Sequence, residues 1–153
     1  MKKIFFILCL CFFSLYAAQI EITSKKFEAD QKKLFSKFIG NVIFKKGSDI
    51  IKADEVYIYF NKEKKPQKID AKGHVTFVLH DQQGKKYKGK AKEVIYYPSK
   101  KEYYLRGSVE IVQFPQKKRI YAQNIYLNLQ QSKISVKGTQ DTPVKMIFTI
   151  EEK

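Results

Sequence analysis

The sequence is poor in the residues that carry most catalytic and metal chemistry. Of 153 residues, two are cysteine and two are histidine. Cys9 and Cys11 both lie near the amino terminus, so the rest of the chain has no disulfide and no thiol ligand or nucleophile. His74 and His80 are six positions apart in an alternating segment, which on one strand separates them by about 20 Å and excludes a shared metal. There is no nucleophile motif of the G-x-S-x-G kind and no glycine-rich phosphate loop. Asp54 and Glu55 form a candidate acid pair, but the equivalent positions of related segments hold Lys92-Glu93 and Gln123-Asn124. A geometry that persists while its chemistry changes is structural. No catalytic residue, metal or cofactor is expected.

Two further shortages bear on architecture. No stretch holds a sustained helical period, and no proline-, glycine- or serine-rich linker divides the chain, which excludes a helical bundle and a second domain. Acidic residues are scarce too: 15 Asp and Glu stand against 30 Lys and Arg, a formal charge of +15. Charge of this size favours an anionic partner, whether nucleic acid, phosphorylated lipid or an acidic polymer. The plain alternative is that the lysines only solvate exposed strand faces.

What is present is a repeat. The segments 38–44, 69–77, 103–111 and 134–138 alternate apolar with polar residues, and each carries a glycine at the same phase. Glycines 40, 73, 107 and 138 are spaced by 33, 34 and 31 residues, the signature of a repeated supersecondary unit. Between them lies a second motif at 51–60, 87–97 and 120–129, in which Ala53, Ala91 or Ala122 precedes two polar residues and an alternating run. Ala53 and Val56 are three apart, so strict alternation would place them on opposite faces. A β-bulge or bend at the two polar residues, or a tight corner between two strands, restores the phase. A truncated copy, Phe27-Glu-Ala-Asp30, precedes the first full unit. Turn signals fall at 46–49, 64–66, 81–84, 98–101 and 113–118, and many short strands so punctuated indicate a sandwich, jelly roll or barrel.

The first eighteen residues read as a secretory signal: Met1-Lys2-Lys3, an apolar run from Ile4 to Leu15, and small residues permitting cleavage after Ala17 or Ala18. An uncleaved anchor is the alternative. Cleavage leaves one domain, 19–153, with a charge of +13 once Lys2 and Lys3 are gone. Nucleic acid is a poor partner for an exported chain, so phosphorylated envelope lipid moves ahead of it.

The apolar face gathers Phe38, Val42, Phe44, Ile58, Phe60, Val75, Phe77, Leu105, Val109, Ile111, Leu127 and Val136. These residues either pack two sheet faces into an ordinary core or line a groove for a ligand. Glycines within a dry face mark bulges, bends or close approach by a ligand or another backbone, and four in register could line one seam. Tyr57, Tyr59, Tyr97, Tyr104 and Tyr126 fall on the opposite, wet face among lysines and amides. Rings in such company can bind nucleic acid or sugar, but cross-strand packing is the preferred account.

Phe27-Glu-Ala-Asp30, Phe38-x-Gly40-Asn41-Val42, Ile51-Lys-Ala53-Asp54 and the echoes at Gly73, Gly107 and Gly138 together resemble the OstA-like (LptA) family of lipopolysaccharide-transport proteins. The resemblance covers nearly all of 19–153 and is nearest to the small periplasmic members. It implies an all-β fold, an open, twisted antiparallel β-jelly roll, V-shaped, with an apolar interior. It also implies a periplasmic bridge between the membranes, with acyl chains of lipopolysaccharide inside and sugars outside. The implied partners are lipid A, the inner-membrane C component, the outer-membrane D component and further copies of the same chain. The twelve apolar-face residues would then be the acyl-chain site. From the alternating pattern itself, the terminal strands 19–23 and 144–150 are natural open edges, with Ile20, Ile22, Met146 and Phe148 on the apolar side for head-to-tail stacking. Two rivals stand beside this reading. One is a C component that keeps residues 4–18 as an anchor; the other is a secreted polyanion- or sugar-binding sandwich with a closed core.

Overall fold

A computed structural model describes residues 19–151, and the expected signal at 1–18 lies outside the described residues. Every element is a strand: β1 (Ile20–Thr23), β2 (Lys26–Asp30), β3 (Phe35–Lys46), β4 (Asp49–Phe60), β5 (Pro66–His80), β6 (Lys86–Tyr97), β7 (Glu102–Phe114), β8 (Lys118–Asn128), β9 (Lys133–Lys137) and β10 (Lys145–Ile147). They form one antiparallel sheet in which the long strands β3 to β8 follow one another as a meander. At one side β1 and β2 both pair with β3, and at the other β9 and β10 both pair with β8. The two sides do not meet, so the sheet stays open.

A single mismatch, repeated, shapes this sheet. Phe38 pairs with Val56 and Val42 with Ala53; Ala71 pairs with Val94 and Val75 with Ala91; Leu105 pairs with Ile125 and Val109 with Ala122. Each odd strand thus takes a step of four residues where its even neighbour takes three. The extra residue is a β-bulge, in which Gly40-Asn41, Gly73-His74 and Gly107-Ser108 lie opposite Asp54, Lys92 and Gln123. Both bulge residues have positive φ, for instance 83° at Gly107 and 46° at Ser108. The motif is therefore a corner. It divides the sheet into limb one (β2, β9 and residues 35–39, 55–59, 68–72, 93–97, 102–106, 124–128) and limb two (β1, β10 and residues 42–46, 49–53, 75–80, 86–91, 109–114, 118–122).

The corner keeps both limbs dry on the same side. Ala53 and Val56 are both buried although three apart, as are Ala91 and Val94, and Ala122 and Ile125. The extra residue lies on the glycine strands, which corrects its expected place at the polar pair of the alanine strands. An even strand bends without an insertion, and only its neighbour on the longer path needs one. The glycines do not line an interior seam either. A Cβ on Gly40, Gly73 or Gly107 would meet the side chains of Lys25, Asp54 or Lys92, all exposed, so the row sits on the wet side of the corner. Gly138 departs from the row: it follows the end of β9, where the chain reverses through Thr139–Thr142.

These corners generate a stability prediction. At Gly107 a Cβ would lie 2.7 Å from the Lys92 Cβ and the backbone has φ +83°, whereas Gly84 has φ +81° in open space. Gly84→Ala should cost only backbone strain, about 1 kcal/mol, and Gly107→Ala about 3 kcal/mol because the neighbouring strand must also move. Urea denaturation of the two variants measures the difference.

Candidate functional site

The inner surface is the one place where many of the residues selected by pattern converge. All twelve apolar-face positions fall in or against one cluster: Val42, Phe44, Ile58, Val75, Phe77, Leu105, Val109, Ile111 and Leu127 within it, and Phe38, Phe60 and Val136 packed on it. The side chains of Val75, Leu79, Leu105 and Leu127 have no exposure at all, each contributing about 1.5–3 kcal/mol of burial. Tyr103 and Ile120 belong here too, two positions before Leu105 and Ala122, and both are buried. Alternation alone carries the signal for them: a tyrosine hydroxyl argues against burial, and Ile120 lies close to the start of its strand. Tyr103 stacks on Tyr96 with ring centroids 4.4 Å apart, and burial holds its phenol well above the ordinary tyrosine range.

The limbs touch again opposite the corner. The Lys46 ammonium, at the tip of limb two, donates to the Tyr96 hydroxyl of limb one at 2.7 Å. Gln82, in the β5–β6 turn, donates its backbone N–H to the Leu129 carbonyl at 3.4 Å. A cavity of about 160 Å³ among Asp49, His80, Asp81 and Tyr103 lies between these contacts. The mouth of the roll is thus closed by polar contacts over an apolar interior. Of the larger concavities, those of about 450 and 820 Å³ lie on the outer faces, and one of about 310 Å³ lies at the β2 side of the sheet among Ala29, Leu34, Ser36 and Phe60.

The open sides of the sheet differ from its middle. Ile22 pairs with Phe44 and Met146 with Ile120, so both continue the inner face out to the sheet edges. Ile20 and Met146 are exposed, as is Phe27 on β2. The carboxy-terminal strand is shorter than expected, Lys145–Ile147 rather than 144–150. Pro143 offers no donor before it, and β8 begins at Lys118, so only that one residue of β8 remains beyond the Ile147–Arg119 pair. Phe148 and Ile150 are left exposed past the end of that strand.

The sequence from 21 to 133 matches the family model described as LptA/(LptD N-terminal domain) LPS transport protein. The chain belongs to this family. The crystal structure of LptH, the LptA homologous periplasmic component of the conserved lipopolysaccharide transport device from Pseudomonas aeruginosa, superimposes with a TM-score of 0.77 at 13% identity. That match covers 87% of this chain and 96% of LptH, and it shows the same open all-β fold. No curated protein matches the sequence. As a member of the LptA family the protein is a transport protein, not an enzyme.

In this family member the outer face of limb one is a solvated aromatic ladder. Phe35 lies 5.7 Å from Tyr57 and 5.4 Å from Tyr59, and Tyr104 packs on Tyr97 and Tyr126 at 5.6 and 5.2 Å. Lysines 37 and 72 cover the Tyr57 ring. The wet-face tyrosines are spent on cross-strand packing, as expected of such strands. The candidate acid Asp54 sits 2.7 Å from the exposed His74 ring at a bulge and raises its pKa; Glu55 accepts a hydrogen bond from Tyr57. Among the described residues no three of His, Cys, Asp and Glu gather to hold a metal.

Sequence reasoning misses Asp70, for which an alternating pattern gives no warning. It points to the outer face of limb one but is only 4% exposed, and its Oδ1 has no hydrogen-bond partner. Burial, then hydrogen bonding and repulsion from Glu93, push its carboxyl up to about 6, against the pull of Lys72 and Lys68. Because the folded value lies above the unfolded one, this group favours folding below about pH 4, and that contribution is lost as pH rises through about 6. Asp70→Asn should therefore stabilise the protein by about 2 kcal/mol at pH 7.5 and by nearly nothing at pH 4. Thermal unfolding of both proteins across that range checks the sign.

Proposed function

We propose that this protein carries lipopolysaccharide through the periplasm, its acyl chains held between the two limbs and its phosphorylated sugars outside. One observation carries the reading: the apolar inner face runs uninterrupted from Ile22 and Phe38 at one open side to Val136 and Met146 at the other. A core that only stabilised a fold would be capped at its edges. Here each edge is finished by short strands with exposed apolar residues, a template for pairing with another chain. Copies joined head to tail would extend one interior across several molecules, and the differing edges make the contact heterologous, so it propagates. The related folds of the membrane-bound C and D components would meet the two ends of the stack. Export follows cleavage after Ala17 or Ala18; an intact Met1 in the purified protein would instead favour an anchored C component.

The interior is already filled by its own side chains, so acyl chains enter by parting the limbs at the Lys46–Tyr96 and Gln82–Leu129 contacts. A carboxylate placed inside costs several kcal/mol unless neutralised. Leu105→Glu should abolish lipopolysaccharide binding, whereas Lys62→Glu, in an exposed turn, should retain it within about twofold. Circular dichroism must show the strands intact in both. Equal loss from the two variants would favour charge attraction and the polyanion-binding rival.

Assembly is tested at the carboxy-terminal edge. The protein should form concentration-dependent oligomers that Ile147→Pro, or deletion of residues 144–153, reduces to monomers. β3 to β8 pair among themselves and should remain folded after the deletion. Light scattering over a dilution series decides it, and a wild-type protein that stays monomeric at high concentration removes self-stacking.

A further inference from the structure

The outer face of limb two differs from that of limb one. It holds the concavity of about 820 Å³, whose floor is a half-buried apolar strip that includes Ile50, Val78 and Val112. Lys88 stands between Val78 and Val112 in the same cross-strand row, and Arg119 lies next after Val112. Lys52 occupies the adjoining row on β4. Cations on alternate strands are about 10 Å apart. On limb one the outward cations Lys72 and Arg106 are met by Asp70 and Glu93, while Lys37, Lys68, Lys133 and Lys137 form no ion pair among the described residues. On limb two, among the described residues, the only ion pair in the concavity is Lys90–Glu110, at 3.5 Å. Lys52, Lys88 and Arg119 line the concavity, and among the described residues none of the three has a carboxylate in ion-pair range.

We infer that this face binds a phosphorylated saccharide, sugar rings on the apolar strip and phosphates between Lys52, Lys88 and Arg119. Charge complementarity carries the assignment: gathered like charges repel, and an anion relieves them. Separate cations about 10 Å apart suit anions spaced along an extended chain rather than one free phosphate. Nucleic acid is disfavoured because the aromatic faces that would stack bases are covered, Phe114 by Lys86 at 4.7 Å and Tyr121 by Lys145 at 5.7 Å. This site lies on the back of the strands that form the interior and needs no acyl chain, so it goes beyond the lipid-carrying reading.

The probe is the phosphorylated saccharide of lipopolysaccharide freed of all acyl chains, titrated into the purified protein by calorimetry. Binding should weaken about tenfold in the Lys52→Glu/Lys88→Glu double variant and again when salt rises from about 50 to about 500 mM. The dephosphorylated saccharide should bind at least tenfold more weakly. Leu105→Glu, which damages only the interior, should bind this probe like wild type even where it loses intact lipopolysaccharide, so failure of the groove and failure of this site separate. Absence of binding, or unchanged affinity in a folded double variant, overturns the proposal. So does displacement of the saccharide by inorganic phosphate at equal concentration, which marks a simple anion site. Displacement by phosphatidylglycerol vesicles also overturns it, since that marks a membrane-facing surface.

Discussion

Wherever the sheet turns its corner, four residues of one strand lie opposite three of the next, and the rest of the molecule depends on that mismatch. In a strand of strict period two, a shift of one position moves every apolar side chain to the other face. Ala53 and Val56, Ala91 and Val94, and Ala122 and Ile125 are three apart yet all point inward because the strand bends between them, and the one extra residue of the glycine–polar bulge opposite lets the neighbouring strand follow that bend in phase. Without the bend, one limb of each even strand would be dry inside and the other dry outside, and without the bulge its neighbour would fall out of phase. With it, two separately amphipathic half-sheets share one interior.

That interior has two demands to meet. Residues 19–151 hold no cysteine and hence no disulfide, so stability rests on the close packing of side chains such as Val75, Leu79 and Leu127. A lipid carrier must also make room for chains of the same chemistry. The two demands are compatible because the limbs are joined covalently at the corner and only by polar contacts at the mouth. Parting Lys46 from Tyr96 exposes groups that water can satisfy. Under the proposed function the inner side chains would then exchange contacts with one another for contacts with acyl chains, which differ little in polarity.

Much of this is legible in the sequence, for a physical reason. Alternation reports which face is dry, and the recurring glycines report where the strands turn, so an all-β fold and the twelve inner positions follow from the pattern of residues, whereas the open roll follows from the family resemblance and not from the pattern. The direction of the bend does not follow from the pattern either. Gly73 and Ala53 are both small, and only their φ angles and neighbours reveal that the extra residue belongs to the glycine strand, on its wet side. Nor does the pattern disclose Asp70, because its burial comes from neighbours on β4 and β6 that are distant in sequence. The pattern overextends the carboxy-terminal edge for a similar cause: 144–150 alternates well, but pairing needs a partner, and β8 runs out at Lys118.

The corner repeats every 33 or 34 residues between Gly40 and Gly107, and each repeat is one long hairpin that adds about 10 Å along the roll. Because every hairpin turns at the same point, its cross-section matches that of its neighbours. Length and bore are therefore independent quantities in this architecture. Duplicating or deleting one whole hairpin would alter how far a single molecule reaches while leaving the width of the interior untouched, whereas losing a single bulge residue would spoil the width at once. The architecture tolerates gain or loss by the unit and is brittle to change by the residue.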